Sequence, residues 1–253
     1  VYEERLQDSR WGQSMSPTFR ARVLEGNITP VSELSSAFLN AKSGADLNFA
    51  YYESSMVVEF IVQEYGFATL LDVLGDLKQG LSINDALERH TSGLQELNSA
   101  FESYFDKVAT DFAPGVEFRI PGEDAPQEIP PSMLANPPRN HYTLGLAQAA
   151  KLIREDNLTG AETKLLQLIK LYPEDNSGNG ARKLLATVYE RQQRSEEQAA
   201  VLITHMEKSS SDLSAATTLL KLQIEKENWQ AALDTGQTLL AIDPLQPNAL
   251  RSL

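Results

Sequence analysis

Helical apolar spacing, in segments of similar length, dominates the chain from His141 to its end. Apolar residues recur there every three or four positions, so each segment is expected to bury one face. Six helices are predicted in three pairs: Gly145–Glu155 with Thr159–Leu171, Gly180–Gln192 with Ser195–Lys208, and Leu213–Glu227 with Trp229–Ala241. Short helices of this kind bury their apolar faces against neighbouring pairs, so the sequence predicts an array of helix pairs.

Small residues and prolines recur at matching places in this array. Pro173 and Pro244 follow the first and third pairs, and Ala161 and Ala232 precede these prolines by twelve residues each. The prolines are 71 residues apart, which is about two 34-residue periods plus a short insertion. The pattern resembles the tetratricopeptide repeat (TPR) family over residues 141–253, where about three repeats are expected.

The TPR resemblance implies a right-handed superhelix that binds a protein or peptide along the inner face of its first helices. In the middle pair, Ala199 or Ala200 would take the small-residue position, one residue out of register. The residues expected to line the binding groove are Leu146, Ile153, Arg154, Arg182 and Lys183. The alternative is that these side chains are merely solvated.

A proline-rich stretch separates the array from the first part of the chain. Seven of the twelve prolines lie between residues 113 and 138. Proline lacks a backbone donor and disfavours helix in the residue before it, so residues 109–140 are predicted to form an extended, semi-rigid linker. Val116–Ile120 could form a short edge strand within it. The alternative is a proline-rich ligand for another module.

The first 108 residues also carry helical spacing, which makes the whole chain all-α by prediction. The helix expected over roughly Leu47–Tyr65 has an apolar stripe that includes Tyr52, Met56 and Phe60. Core faces are also predicted for two later helices: Leu70, Leu71, Leu74 and Leu77 in one, and Leu94, Leu97, Phe101, Tyr104 and Phe105 in the other.

Three stretches of this first part, taken in order, resemble the gluzincin metallopeptidases, a group that includes the peptidase MA-like domains. They are Val1-Tyr2-Glu3-Glu4, Ile28–Leu34 and Ala50-Tyr51-Tyr52-Glu53-Ser54. The resemblance covers about residues 1–107 and implies the C-terminal helical portion of such a domain. In this family's aminopeptidases a tyrosine hydroxyl stabilises the tetrahedral oxyanion. The resemblance implies this role for Tyr52, with Tyr51 as the second choice; the alternative is that both are core or interface aromatics.

Gluzincins hold zinc with the two histidines of an H-E-x-x-H helix and a glutamate from the next helix. The histidines of this chain, His90, His141 and His205, are far apart, and no H-x-x-x-H occurs. We therefore expect no metal site and no catalysis in this chain by itself; zinc is expected only if the full-length protein carries H-E-x-x-H. The chain begins inside one predicted helix and ends at the start of another, so we expect a fragment of a longer protein.

Composition excludes several other functions. The net charge of −13 argues against nucleic-acid binding, and the absence of cysteine excludes disulfides and thiolate metal sites. No apolar run approaches the roughly 18 residues of a membrane span. Two hypotheses remain: part of a zinc metallopeptidase-like protein with a protein-binding TPR array, or a non-enzymatic TPR scaffold with a degenerate peptidase-like front domain. Neither compartment, periplasm or cytoplasm, is favoured.

Overall fold

The computed structural model describes residues 14–119, 129 and 131–243. These residues form thirteen α-helices and, apart from one isolated bridge, no β-structure, so the predicted all-α class is confirmed for them. The helices divide into two units, Val1–Pro114 (unit 1) and Gly115–Leu253 (unit 2). The Val1-Tyr2-Glu3-Glu4 stretch, the prolines from Pro121 to Pro130 and the segment from Pro244 onward lie outside the described residues.

Unit 1 contains six of the helices. They are α1 (Pro17–Leu24), α2 (Leu34–Leu39), α3 (Gly44–Tyr65), α4 (Phe67–Lys78), α5 (Ile83–His90) and α6 (Leu94–Asp111), with a short 3-10 turn at Val31–Glu33. Serine side chains accept hydrogen bonds from free backbone N–H groups at the start of α1, α3 and α5. Gly66 alone joins α3 to α4, with a φ of +87° that favours glycine at this sharp turn.

The core of unit 1 forms where α3 packs on α6. The predicted stripe of Tyr52, Met56 and Phe60 is buried there, and it meets Phe101 and Phe105 of α6. The rings of Phe60 and Phe101 are 5.8 Å apart and those of Tyr52 and Phe105 are also 5.8 Å apart. The apolar period of both helices therefore identified the faces that meet.

The core face predicted for α4 is partly wrong. Leu71 and Leu74 are each 53% exposed, whereas Val73 is buried and Leu77 packs against the core. Helix α4 packs mainly on α3 and α5 among the described elements. Seven of its twelve residues are apolar and they span an arc of the helix wider than the buried face, so spacing could not identify which part of that arc is covered.

Unit 2 contains the remaining helices. They are α7 (Pro131–Ala135), α8 (Tyr142–Arg154), α9 (Leu158–Leu171), α10 (Ala181–Arg191), α11 (Ser195–Lys208), α12 (Leu213–Glu225) and α13 (Trp229–Ile242). From α8 onward each helix packs on the next one in the chain. Short connections make such neighbours antiparallel, so the six helices form three successive hairpins, as the sequence predicted.

The three hairpins share one turn geometry. Three residues separate the two helices of each pair, and the middle one has a left-handed φ: +61° at Asp156, +59° at Gln193 and +57° at Glu227. A non-glycine residue seldom adopts this conformation, so its recurrence marks the hairpins as structural repeats. Sequence analysis did not predict this turn, because none of the three residues is glycine.

The fourth residue of each second helix is buried between the helices of its pair. It is Ala161 in α9, Gln198 in α11 and Ala232 in α13. The middle pair therefore keeps the register but not the small residue. Ala200, one of the two alanines proposed for this place, is exposed, and Ala199 is half-buried.

The predicted linker is divided between the two units: its first three residues end α6 in unit 1, and the part that begins at Gly115 belongs to unit 2. Glu117 forms an isolated parallel bridge with His141 instead of the predicted edge strand, through Glu117 N–H to the Asn140 carbonyl at 2.8 Å and Tyr142 N–H to the Glu117 carbonyl at 2.8 Å. The Phe118 ring meets Tyr142 and Tyr172 edge-on at 5.8 and 5.3 Å. Described residues of this stretch thus belong to the folded units.

Candidate functional site

Tyr52 and Tyr51 lie on opposite sides of α3. Tyr52 is 2% exposed, and its ring stacks on Phe19 of α1 with the centroids 5.0 Å apart. Tyr51 is 47% exposed and meets Phe38 of α2 edge-on at 5.0 Å. In the described structure Tyr52 has the surroundings of a core aromatic, and its role as an oxyanion donor stays a prediction.

The side chain that follows Tyr52 is a fully buried carboxylate. Glu53 is 0% exposed, and its Oε1 accepts a hydrogen bond from the Thr29 backbone N–H at 2.6 Å. Its Oε2 has no hydrogen-bond partner among the described residues. Burial raises the pKa of Glu53, and the Thr29 hydrogen bond opposes this only in part. A buried acid with a raised pKa is one sign of a functional site, although structural carboxylates show it as well.

Glu53 forms part of the wall of a cleft of about 290 Å³. The other polar walls come from Arg22 of α1, the Thr29 loop, the Asn40–Lys42 turn and Asp46 of α3. Arg22 forms an ion pair with Asp46 at 2.9 Å and lies over the Phe49 ring at 4.3 Å. The Ser43 hydroxyl and then the Arg22 guanidinium lower the pKa of Asp46.

The histidines are all engaged by other groups. His90 Nε2 lies 2.9 Å from Asp76, His141 Nε2 lies 3.0 Å from the Arg119 carbonyl, and His205 Nε2 lies 2.8 Å from Asp212. Across residues 14–119, 129 and 131–243, no three His, Cys, Asp or Glu side chains come together as a metal site. The described residues do not fit zinc, so we derive no reaction step through it.

The five predicted groove residues are not equally accessible. Arg154 is exposed at the end of α8, and Leu146 and Ile153 are half-buried on the same helix. Arg182 is only 5% exposed and donates to the carbonyls of Asp175 at 3.0 Å and Pro173 at 2.6 Å. The Arg182 side chain is therefore committed to the connection between α9 and α10 and is not offered to a ligand in this conformation.

Lys183, the fifth predicted residue, joins two first helices. It pairs with Asp212 at the start of α12 at 3.2 Å and lies 3.3 Å from the Ser214 hydroxyl. Arg191 makes a similar link, to the Ile153 carbonyl and to Asp156 at 2.8 Å. These ion pairs tie α8, α10 and α12 to one another, and the sequence did not predict them because the partners are about 30 residues apart or more.

A buried polar cluster fixes the longest connection of the array. The Tyr142 hydroxyl donates to Asp175, and the Ala181 N–H at the start of α10 reaches both Tyr142 and Asp175, at 3.1 and 3.2 Å. Burial, reinforced by the Asp175 charge, raises the pKa of Tyr142 far above its usual range. The cluster is structural, since it places the second hairpin on the first.

The comparisons with known proteins add no identification. No protein-family model matches the chain, and no characterised protein matches it either. None of the helices in the described ranges combines the length and the apolar character needed to cross a bilayer.

Proposed function

We propose that this chain is the helical C-terminal part of a zinc metallopeptidase-like protein and that unit 2 binds other proteins or peptides. The observation that carries the second half of this proposal is the set of three helix hairpins with one shared turn geometry. Stacked helix hairpins create extended surfaces that suit elongated partners. The TPR resemblance of residues 141–253 supports the same reading.

The first helices supply candidate contact residues. Arg154 of α8, Thr187 of α10, and Lys221 and Ile224 of α12 are exposed. Arg154 and Lys221 are basic, and neither belongs to the ion pairs that join one first helix to the next. Acidic or amphipathic segments are therefore the partners that this surface suits best. Arg182 is no longer among the candidates, since its guanidinium is already held by backbone carbonyls.

Charge reversal tests the binding surface. Arg154→Glu should reduce capture of an acidic partner by at least tenfold in a pull-down titration, because like charges that face each other across an interface cost several kcal/mol. Lys170→Glu is the matched control, because Lys170 is equally basic and exposed but lies on the second helix α9. Equal capture by both variants and the parent chain would remove this surface from the proposal.

For unit 1 the proposal rests on the gluzincin resemblance and on the Tyr52–Glu53 pair. A tyrosine hydroxyl that stabilises an oxyanion contributes about 2.7–4 kcal/mol, or roughly 10²–10³ in rate. In the longer protein with an H-E-x-x-H helix, Tyr52→Phe should lower peptide turnover by about that factor and leave the zinc content unchanged. Tyr51→Phe is the control. Equal rates for the parent and Tyr52→Phe would leave Tyr52 as a core aromatic.

The second candidate function is a non-enzymatic scaffold. The burial of Tyr52 within the aromatic core favours it, because a core aromatic needs no catalytic role. The residues before Val1 distinguish the two functions. An E-G pair there, with H-E-x-x-H some twenty residues earlier, together with stoichiometric zinc in the purified protein, supports the peptidase; a protein without either is the scaffold.

A further inference from the structure

The cleft beside α3 contains a carboxylate that lacks half of its hydrogen bonds. Glu53 is completely covered, one oxygen takes the Thr29 N–H, and the other has no partner among the described residues. An unsatisfied polar atom of this kind costs about 1–3 kcal/mol, more for a charge. An ionised carboxylate oxygen accepts hydrogen bonds, so a group that binds here must supply a hydrogen-bond donor.

The charges around the cleft indicate which donor is missing. Arg22 forms its ion pair with Asp46 at 2.9 Å, although its charge also acts on Glu53, and Lys42 is an exposed residue of the cleft lining. Two carboxylates line this cleft. Asp46 is paired with Arg22, whereas Glu53 forms no ion pair with any described residue. A buried carboxylate is stabilised most by a partner that brings both an N–H and a positive charge.

The other walls suit a small organic cation. The cleft has a volume of about 290 Å³, near the lower end of ligand pockets, which suits a side-chain-sized group. Phe49 lines the cleft beneath the Arg22 guanidinium, which lies 4.3 Å from the ring centroid, and Asn40 is a further polar residue of the lining. We propose that this cleft binds an alkylammonium or guanidinium group, whose N–H pairs with Oε2 of Glu53.

Entry requires a side chain of the wall to turn aside, because Glu53 has no exposed surface in the empty cleft. Arg22, Lys42 and Asp46 are the ionisable groups that face the cleft together with Glu53. Binding needs the Glu53 carboxylate in its charged form. Since burial raises the pKa of Glu53, affinity should increase as the pH rises through that pKa.

The proposal is tested on the full chain, and it does not depend on the proposed function. Carbon-13 NMR of labelled glutamate side chains follows titration with n-propylammonium or methylguanidinium chloride. We expect one glutamate carboxyl signal to shift saturably, and Glu53→Gln to remove that signal and weaken binding at least tenfold. Glutamine keeps the oxygen for Thr29. The control is Glu64→Gln, an exposed acid of the same helix, which should bind as the parent does.

Two further probes separate pairing at Glu53 from general effects. Tetramethylammonium carries the charge without an N–H, and 1-propanol carries the chain without the charge; neither should saturate the shift. Equal responses to all four probes, unchanged affinity in Glu53→Gln, or no saturable shift in the parent would each overturn the proposal. The comparison of probes on the parent chain decides the matter even if Glu53→Gln fails to fold.

Discussion

Buried polar side chains of unit 2 are bound to the backbone at the ends of helices. Arg182 donates to two carbonyls after α9, and Asp212 accepts the Ala215 N–H at the start of α12 at 2.9 Å. Helix ends leave backbone groups without partners, so a buried end requires such side chains. The role of these residues is therefore to make the stacking of hairpins possible.

Arg182 should matter for stability rather than for binding. Arg182→Met keeps the apolar stem but removes the donor to the carbonyl of the buried Asp175, which should cost about 1–3 kcal/mol of unfolding free energy. Urea denaturation measures it. Arg154→Met, at an exposed position, should stay within about 0.5 kcal/mol of the parent. A loss of similar size in both variants would contradict this assignment.

Asp212 should make the stability of unit 2 sensitive to acid. Burial alone would raise its pKa, but the Ala215 N–H, His205 and Lys183 outweigh burial and lower it. A lowered pKa in the folded state contributes stability above the unfolded value, about 3.9, and this contribution is lost as the pH falls through the folded value.

Asp212→Asn should therefore destabilise unit 2 by about 1–3 kcal/mol near pH 7, and the difference from the parent should shrink at acid pH. Urea denaturation between pH 3 and 7 measures the effect. Asp234→Asn, an exposed position on α13, serves as control and should show no comparable difference. A pH-independent loss in Asp212→Asn would mean that packing, and not charge, is responsible.

At the scale of the element, close approach of two helices decides which residues are allowed. A Cβ added to Gly145 of α8 would lie 2.6 Å from a terminal carbon of Leu168 in α9, and Leu168 is itself fully buried. At Gly236 of α13 an added Cβ would meet no atom of the described structure within 4 Å. Only the first glycine is required by packing.

Alanine at the two positions should therefore have opposite effects. Gly236→Ala should stabilise unit 2 by up to about 1 kcal/mol, because alanine is the better helix former. Gly145→Ala makes the same gain but overpacks the α8–α9 contact, so it should be less stable than Gly236→Ala by about 1–3 kcal/mol. Thermal unfolding of both variants measures the difference, and equal stabilities would show that Leu168 adapts freely.

At the scale of the whole molecule, the boundary between the two units lies after Pro114. It therefore falls near the beginning of the stretch 109–140, which the sequence predicted to be a linker. Phe118 packs on two tyrosines of unit 2, and the Thr143 hydroxyl donates to the Phe118 carbonyl at 2.6 Å. Composition favoured a spacer because proline is frequent here. The packing of Phe118 depends on residues of α8 and of the loop after α9, which spacing along the chain does not reveal.

Phe118→Ala should weaken unit 2 and leave unit 1 unchanged. Removing a half-buried ring should cost about 1–3 kcal/mol. Amide hydrogen exchange in α8 should accelerate accordingly, and exchange in α3 should not change if the units unfold independently. Phe67→Ala, at an exposed position of unit 1, is the matched control. Faster exchange in α3 of the Phe118 variant would show that the units unfold together.

The sequence by itself determined the helices and most of their buried faces. Apolar spacing placed Tyr52 and Phe60 correctly on the core side of α3, and it predicted the six helices of the three hairpins, because this signal depends on residues within one or two turns of each other. The TPR and gluzincin families remain predictions.

Only the tertiary structure decided which face of α4 is buried and which oxygen of Glu53 lacks a hydrogen-bond partner among the described residues. It also shows why Arg182 cannot line a groove. In α4 the apolar residues span an arc wider than the buried face, so its neighbours select Val73 over Leu71 and Leu74. For Glu53 and Arg182 the outcome depends on backbone groups in other segments, such as Thr29. Hydrogen bonds of this kind are set by three-dimensional packing, which local sequence patterns do not encode.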